Sequence, residues 1–215
     1  MTTDVVVDRA TAADCPEIRT VLARAYHANP LMVWALPDAG TRQDACAAWL
    51  GPSVDRYLAV GRVHVARGAG RVLGVAAWRL PGAAQPPVTL PSPAGVLAVL
   101  VGRTRADEIL AALGSAAPLA PSAPAAYLNY LAVDPQVQGR TVGRRLAEAG
   151  IAAAEADGVG TYLGTTDPRN LPFYRRLGYA EAGTVPLAPD GPALTVLHRP
   201  AQVSAGSANH MTVSP

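Results

Sequence analysis

A strand end, a tight turn and a helix start follow one another closely between residues 131 and 146. Asp134-Pro135 ends an apolar run, Gly139 lies in the following turn, and an amphipathic helical pattern begins at once. The first N–H groups of a helix have no partner within it, and the helix dipole favours anions there. The segment therefore predicts a phosphate-binding site, to which Arg140 and Arg144 add positive charge.

Two other phosphate-binding motifs fit this segment poorly. No G-x-G-x-x-G opens the helix, and the next predicted strand, 161–165, ends in threonine where dinucleotide-binding proteins have an acidic residue. A Walker A loop needs a lysine, and all eighteen basic residues are arginine. An ordinary strand–turn–helix crossover with a charged surface helix stays open as an alternative.

The same segment resembles the acetyl-CoA-binding motif of GCN5-related N-acetyltransferases (GNAT), written Q/R-x-x-G-x-G/A. Gln138 and Gly143 match the motif, whereas Thr141 stands where the family has its central glycine. A β-branched side chain there either crowds the phosphate or replaces a backbone contact with a hydroxyl contact.

A second motif follows in the order and at the spacing of the family. Asn170-x-x-x-Tyr174-x-x-x-Gly178-Tyr179 resembles its closing motif, N-x-x-x-Y-x-x-x-G-F/Y. The run from Arg169 to Tyr174 and the early Asn29-Pro30 are also similar to puromycin N-acetyltransferase and its actinobacterial relatives.

The resemblance implies an acetyl-CoA-dependent N-acetyltransferase that needs no metal. Tyr174 would protonate the departing thiolate, because a phenol stays protonated at neutral pH, and Asn129 would assist catalysis. The alternative for Tyr174 is a core aromatic residue. The predicted acetyl-CoA-binding residues are Leu131, Ala132, Val133, Gln138, Gly139, Arg140, Thr141, Val142, Gly143, Arg144 and Asn170.

The predicted strand 127–133 lacks the carboxylate that many members of the family use as general base. Asn129 or Tyr130 could hold a water relay instead, and His27, Asp38 and His64 are weaker candidates. Alternatively, the amine binds as its neutral fraction.

The acceptor pocket is predicted to come from the N-terminal half. Large apolar side chains favour a bulky apolar or aromatic amine if they are exposed, but core packing is their default role. No acidic cluster is available to collect a polybasic substrate. The candidate substrate-binding residues are Tyr26, Trp34, Trp78 and Tyr130, with Leu36 as a further wall residue.

The pattern of elements predicts one mixed, mostly antiparallel, twisted sheet flanked by helices, an α/β (α+β) fold. We expect helices from about Asp14 to Asn29, 41–57 with an interruption at Gly51-Pro52, 93–113 with a break at Gly102, 139–157 and 170–177. Strands are expected at 5–7, 62–67, 71–80, 127–133, 161–165, 180–185 and 193–198. Residues 30–40 are expected to be irregular.

Length and composition indicate a single domain, expected over residues 1–199, with a disordered tail at 200–215. The net charge of +2 is spread along the chain and predicts no nucleic-acid partner. The longest apolar stretch, 94–101, is too short for a membrane span, and the first residues lack the apolar core of a signal peptide. We therefore expect a cytoplasmic protein without a membrane partner, which could form a homodimer.

Three functions remain open from sequence. The first is acetylation of a small-molecule amine, with a role in antibiotic resistance or natural-product chemistry. The second is acetylation of a protein or peptide, which an open groove would favour. The third is a catalytically weak CoA-binding module with a regulatory role.

Overall fold

Seven strands form one mixed sheet in a computed structural model that describes residues 5–139 and 141–202. Their order across the sheet is β1-β2-β3-β4-β5-β7-β6. Neighbours β4 and β5 run parallel, whereas the other neighbouring pairs are antiparallel. The predicted fold class is confirmed. The strands are β1 (Val6–Arg9), β2 (Arg62–Gly68), β3 (Arg71–Arg79), β4 (Ala125–Val133), β5 (Gly160–Thr165), β6 (Ala180–Pro186) and β7 (Ala193–Arg199).

Helices cover both faces of this sheet. The first face carries α1 (Cys15–Tyr26), α2 (Pro30–Ala35), α3 (Arg42–Val60), α4 (Pro93–Val101) and α5 (Arg103–Gly114). The second face carries α6 (Val142–Ala156) and α7 (Leu171–Arg176). Short 3₁₀ turns occupy Ala12–Asp14, Ala117–Leu119, Pro135–Val137 and Pro168–Asn170.

The central strands divide their side chains between two cores. In β3, Val75 and Ala77 pack against the helices of the first face, whereas Ala76 and Trp78 pack beneath α6. This alternation follows from the two-residue period of a strand, and it explains why β3 reads as an almost continuous apolar run.

Two helices differ from the sequence prediction. Residues 30–40 were expected to be irregular, but Pro30–Ala35 is helical because the Asn29 side chain accepts a hydrogen bond from the Leu31 N–H (3.0 Å) and Pro30 occupies the first turn. The Asn-Pro pair thus ends one helix and begins the next. The interruption expected at Gly51-Pro52 is also wrong, since α3 continues to Val60.

Burial explains the continuity of α3. Residues 49–54 are all buried against α1 and the sheet, and Val54 is completely inaccessible. A proline inside a helix costs about 3 kcal/mol, which burial of several large apolar side chains offsets. No helix within residues 5–139 and 141–202 is long and apolar enough to cross a membrane. Most of the predicted C-terminal tail, from residue 203, lies outside the described residues.

Candidate active site

The parallel strands β4 and β5 separate halfway along their length. They pair from Ala125 opposite Gly160 to Leu128 opposite Leu163, after which β5 pairs with β7 alone. On its other side β4 stays paired with β3, with a β-bulge at Asn129. Bulges redirect side chains and often border functional sites. A wedge-shaped opening results between residues 129–133 of β4 and the end of β5.

The separated edge of β4 presents backbone donors to this opening. The Asp134 N–H donates to Leu73 O in β3 at 2.8 Å. Because backbone N–H groups alternate in direction along a strand, those of Leu131 and Val133 point away from β3, into the opening. Burial raises the pKa of the Tyr26 phenol, and the nearby Leu131 backbone opposes that rise. The Val133 carbonyl accepts a hydrogen bond from Gln138 Nε2 at 3.1 Å.

A cleft of about 710 Å³ fills the opening and extends toward the first face of the sheet. We call it the main cleft. It combines the exposed edge of β4 with the loop after β5 and with apolar side chains from α2 and α3. Its walls include Tyr26, Met32, Trp49, Leu50, Asn129, Tyr130, Leu131, Val133, Thr166, Asp167, Asn170 and Tyr174.

A second cavity of about 460 Å³, the helix-end groove, lies at the N-terminus of α6. Residues 141–144 form its floor, and it shares Leu131, Val133, Gln138, Asn170 and Tyr174 with the main cleft. The two cavities therefore adjoin, and together we call them the channel, which extends from the start of α6 to the wedge between β4 and β5.

The turn before α6 differs from the sequence prediction. The helix begins at Val142 instead of Gly139, because Gly139 (φ 79°) and Thr141 (φ 64°) both adopt left-handed conformations. Such a conformation is strained for a β-branched residue. The glycine that the family motif has at position 141 would adopt it freely.

The predicted acetyl-CoA-binding residues lie together along this channel. Ten of them, all except Arg140, line the main cleft, the helix-end groove or both. Arg140 lies outside the described residues. Gly143 packs closely under Val133, where an added Cβ would lie 3.4 Å from Val133 Cγ2. The cradle therefore fits a phosphate-bearing ligand at the helix end and an extended arm beside β4.

Tyr174 stands where the two cavities meet. Tyr174 is 8% exposed. Its ring packs edge-to-face on Phe173 and Tyr179, at centroid distances of 5.2 and 5.9 Å. Burial, with smaller contributions from neighbouring tyrosines, raises the pKa of the Tyr174 phenol above its ordinary value. The phenol therefore stays protonated at neutral pH and can donate a proton into the channel.

Asn129 and Tyr130 form the polar centre of the main cleft. Burial raises the pKa of Tyr130, and hydrogen bonds from Ser53 and Asn129 oppose this rise. The Tyr130 ring lies edge-on between Tyr26 and Tyr57, each at a centroid distance of 6.1 Å. These contacts hold the Tyr130 ring in place next to Asn129.

Only part of the predicted acceptor pocket reaches the cleft. Tyr26 and Tyr130 line it, but Trp78 is 1% exposed and packs beneath α6 against Gly150, on the second face. Trp78 therefore lies outside the acceptor pocket, contrary to the sequence prediction. Trp34 is not among the described residues that line the cleft. Instead, the Arg105 guanidinium carbon lies over its ring, 4.4 Å from the ring centroid. Leu36 is buried in the first core.

The weaker candidates for a general base also lie elsewhere. His64 is buried in β2, and Asp38 accepts hydrogen bonds from Gly40 N and Thr41 Oγ1 before α3. His27 contacts the Ala39 carbonyl at 3.4 Å. Asp167 is the one carboxylate among the described residues that line the main cleft. Hydrogen bonds from Arg169 lower its pKa, which makes it a poor base.

Sequence reasoning missed Ser53 and Tyr57, which support Tyr130 from α3. Both residues lie in a helix whose linear pattern indicates only core packing. Their one signal is helical spacing, since residues four apart share a helix face.

Comparison with known proteins identifies related sequences and folds. The sequence model of a family described as "Acetyltransferase (GNAT) family" matches residues 61–179, more than half of the chain. A Corynebacterium glutamicum structure, described as histone acetyltransferase HPA2 and related acetyltransferase, is 28% identical with a TM-score of 0.69 over 94% of this chain and 98% of that one.

Two more distant structures share the fold. Drosophila melanogaster polyamine N-acetyltransferase is 18% identical, with a TM-score of 0.58 over 92% of this chain and all of that one. The Escherichia coli ribosomal-protein-S18-alanine N-acetyltransferase is 17% identical, with a TM-score of 0.55 over 96% of this chain and all of that one.

Proposed function

We propose that this chain, which belongs to the acetyltransferase (GNAT) family, transfers the acetyl group of acetyl-CoA to the amine of a small molecule. The two adjoining cavities, which place the N-terminus of α6 next to the wedge beside β4, are the observation that carries this proposal. Enzymes of the family take their acetyl group from acetyl-CoA, which supplies a thioester that an amine can attack.

The chain divides the work of holding acetyl-CoA between two regions. The N–H groups of residues 142–144 would bind the pyrophosphate, with Arg144 adding charge at the same end. Asn170 and the Val133 backbone would hold the pantetheine arm. The Leu131 N–H would stabilise negative charge that develops on the thioester oxygen, a role in which one donor typically contributes about 10²–10³-fold in rate.

The Tyr26 hydroxyl lies next to the Leu131 N–H, and we assign Tyr26 a positioning role. Burial raises the pKa of the Tyr26 phenol, and the Leu131 backbone opposes that rise, so the two groups lie close together. We place Tyr26 as the group that keeps this donor oriented toward the cleft. Tyr174 then donates its phenolic proton to the departing thiolate, since it lies at the junction of both cavities.

The amine reaches the wedge as a free base or loses its proton through water held by Asn129 and Tyr130. The absence of a basic carboxylate among the described cleft residues supports this route. We therefore expect kcat/KM to rise with pH until the acceptor's own ammonium group is deprotonated, and to follow that pKa from one acceptor to the next.

Several observations favour a small apolar or aromatic acceptor. Tyr26, Met32 and Trp49 give the cleft an apolar wall, and its one described carboxylate is paired with Arg169 at 2.8 Å. A polybasic tail finds no counter-charge there. Similarity of residues 169–174 to puromycin N-acetyltransferase supports an aminonucleoside or another natural-product amine, and hence a role in antibiotic resistance.

Acetylation of a protein is the second candidate, because the Corynebacterium relative is described as a histone acetyltransferase. Mass spectrometry of reaction mixtures separates the two. We expect acetylated puromycin or arylalkylamine and an unmodified lysine-containing histone peptide. An acetylated peptide with unmodified small amines would overturn the proposal in favour of a protein substrate.

A further inference from the structure

A third cavity of about 760 Å³, which we call the side cavity, opens next to the main cleft. The two share Ser53, Pro93 and Asn129. The ends of α3 and β3 and the segments 80–86 and 121–125 form the other walls of the side cavity. An acceptor whose nitrogen lies at Asn129 therefore has room in the side cavity for a body of several rings' volume.

The charged side chains of the side cavity all have the same sign. Arg56 and Arg79 line it, and its described lining residues include no aspartate or glutamate. Neither arginine takes part in an ion pair within the described part of the chain. Two unpaired guanidinium groups repel a polyamine and attract an anion.

Both arginines keep donors available for a ligand. Arg56 donates one long hydrogen bond, to the Leu90 carbonyl at 3.4 Å, and Arg79 donates one to the Tyr162 hydroxyl at 3.1 Å. A guanidinium has five N–H donors in a planar arrangement that matches a carboxylate. The Arg79 group also lies over the Tyr127 ring at 5.1 Å, which fixes its orientation.

Aromatic rings complete the binding surface. Tyr57 and Tyr162 line the side cavity, and the Tyr162 ring packs against Tyr127 at an interplanar angle of 41°, with ring centroids 4.7 Å apart. Aromatic ligands pack favourably on such ring clusters. The side cavity thus combines an aromatic surface with two cations, and it opens onto Asn129.

We propose that the side cavity binds the acceptor's body, and that the preferred acceptor is an arylalkylamine that also carries a carboxylate. The carboxylate binds Arg56 and Arg79, the ring packs on Tyr57 and Tyr162, and the amine lies at Asn129. This inference rests on the proposed acetyltransferase function and names its substrate class.

Matched acceptors test the proposal. We would measure kcat and KM with 4-(aminomethyl)benzoate and 4-(2-aminoethyl)benzoate, each against its uncharged carboxamide. Wild-type enzyme should prefer each carboxylate by about tenfold or more in kcat/KM, as expected for charge-assisted hydrogen bonds at a partly open site. Arg56→Gln and Arg79→Gln should each remove most of this preference through KM, without changing KM for acetyl-CoA.

The control is Arg71→Gln, which removes an exposed arginine at the opposite end of β3 and should keep the preference. Equal kcat/KM for carboxylate and carboxamide in the wild type would overturn the proposal and leave acetyl transfer intact. So would a preference that survives both variants.

Calorimetry of 4-(aminomethyl)benzoate binding, without acetyl-CoA, separates this proposal from the proposed function. Binding that Arg56→Gln and Arg79→Gln abolish supports the side cavity even if no acceptor is turned over. Absence of binding to the wild type, or binding that the variants leave unchanged, counts against it even if other amines are acetylated.

Discussion

Replacement of Tyr174 by phenylalanine isolates the proton donor that we assign to the reaction. The change removes one hydroxyl group and keeps the ring that packs on Phe173 and Tyr179. Within the described part of the chain the Tyr174 hydroxyl makes no hydrogen bond, so its loss leaves no buried partner unsatisfied. The free energy of unfolding should therefore change by less than about 0.5 kcal/mol.

The effect on rate should be much larger. General acids contribute about 10²–10⁴-fold to the rate. A thiolate is a weaker base than an alkoxide, so we expect a contribution at the lower end of this range. We expect kcat to fall about 10²-fold, equivalent to about 2.7 kcal/mol of transition-state stabilisation. The KM for acetyl-CoA should stay near its wild-type value, because the phenol acts on the leaving group.

Tyr179→Phe is the matched control. Its hydroxyl accepts a hydrogen bond from Thr161 Oγ1 at 2.8 Å within the core, away from the cavities. This variant should lose about 1 kcal/mol of stability and keep its rate. Steady-state kinetics and urea unfolding of both proteins measure the contrast. A folded Tyr174→Phe enzyme with wild-type kcat would refute the assignment of Tyr174 as proton donor.

Three further predictions concern folding and the site's support. His64 is buried, and desolvation lowers its pKa to about 4. Between that pH and about 6.5 the unfolded chain therefore binds more protons than the folded one, so the free energy of unfolding should fall as the pH drops through this window. In urea titrations His64→Gln should make the free energy of unfolding less dependent on pH. Gly150→Ala should cost more than about 2 kcal/mol, because its methyl group would overlap the Trp78 indole; an unchanged thermal midpoint would contradict this packing. Arg24→Gln leaves the buried Asp134 carboxylate without the ion partner that lies 3.1 Å away; we expect a loss of about 1–2 kcal/mol and weaker CoA binding by calorimetry.

The fold was largely predictable because its signals are local. The alternating apolar residues of β2, the nearly continuous apolar run of β3, and the β-α-β order from β4 to β5 predict the strands and the helix between β4 and β5. The misjudged elements had two different causes. Pro52 interrupts no helix because it is buried in the core, which depends on tertiary packing. The helix after Pro30 forms because the Asn29 side chain caps it, a local contact that the Asn-Pro pair concealed.

The predicted site was partly accessible from sequence. The cradle residues follow linear motifs, and the structure brings those that it describes together along one channel: Leu131, Ala132, Val133, Gln138, Gly139, Thr141, Val142, Gly143, Arg144 and Asn170. The acceptor side has no such motif. Residue type alone does not separate Trp78, buried beneath α6, from Tyr57, which lines a cavity, because only the packing of helices on the sheet determines which large side chain is exposed.

The backbone at Thr141 was also beyond sequence reasoning. The sequence motif shows that Thr141 replaces a glycine, but it does not show that the backbone there has a φ of 64°. The strain lies at the position where the proposed pyrophosphate site begins.

Acetyl transfer can be measured as thiol release from acetyl-CoA, recorded with a thiol reagent in the presence and absence of an arylalkylamine. We predict release that depends on the amine, saturates with both substrates and falls about 10²-fold in Tyr174→Phe. Release that is independent of any amine across aminonucleosides, arylalkylamines, polyamines and a lysine peptide, from a protein that binds CoA in calorimetry, would contradict this prediction.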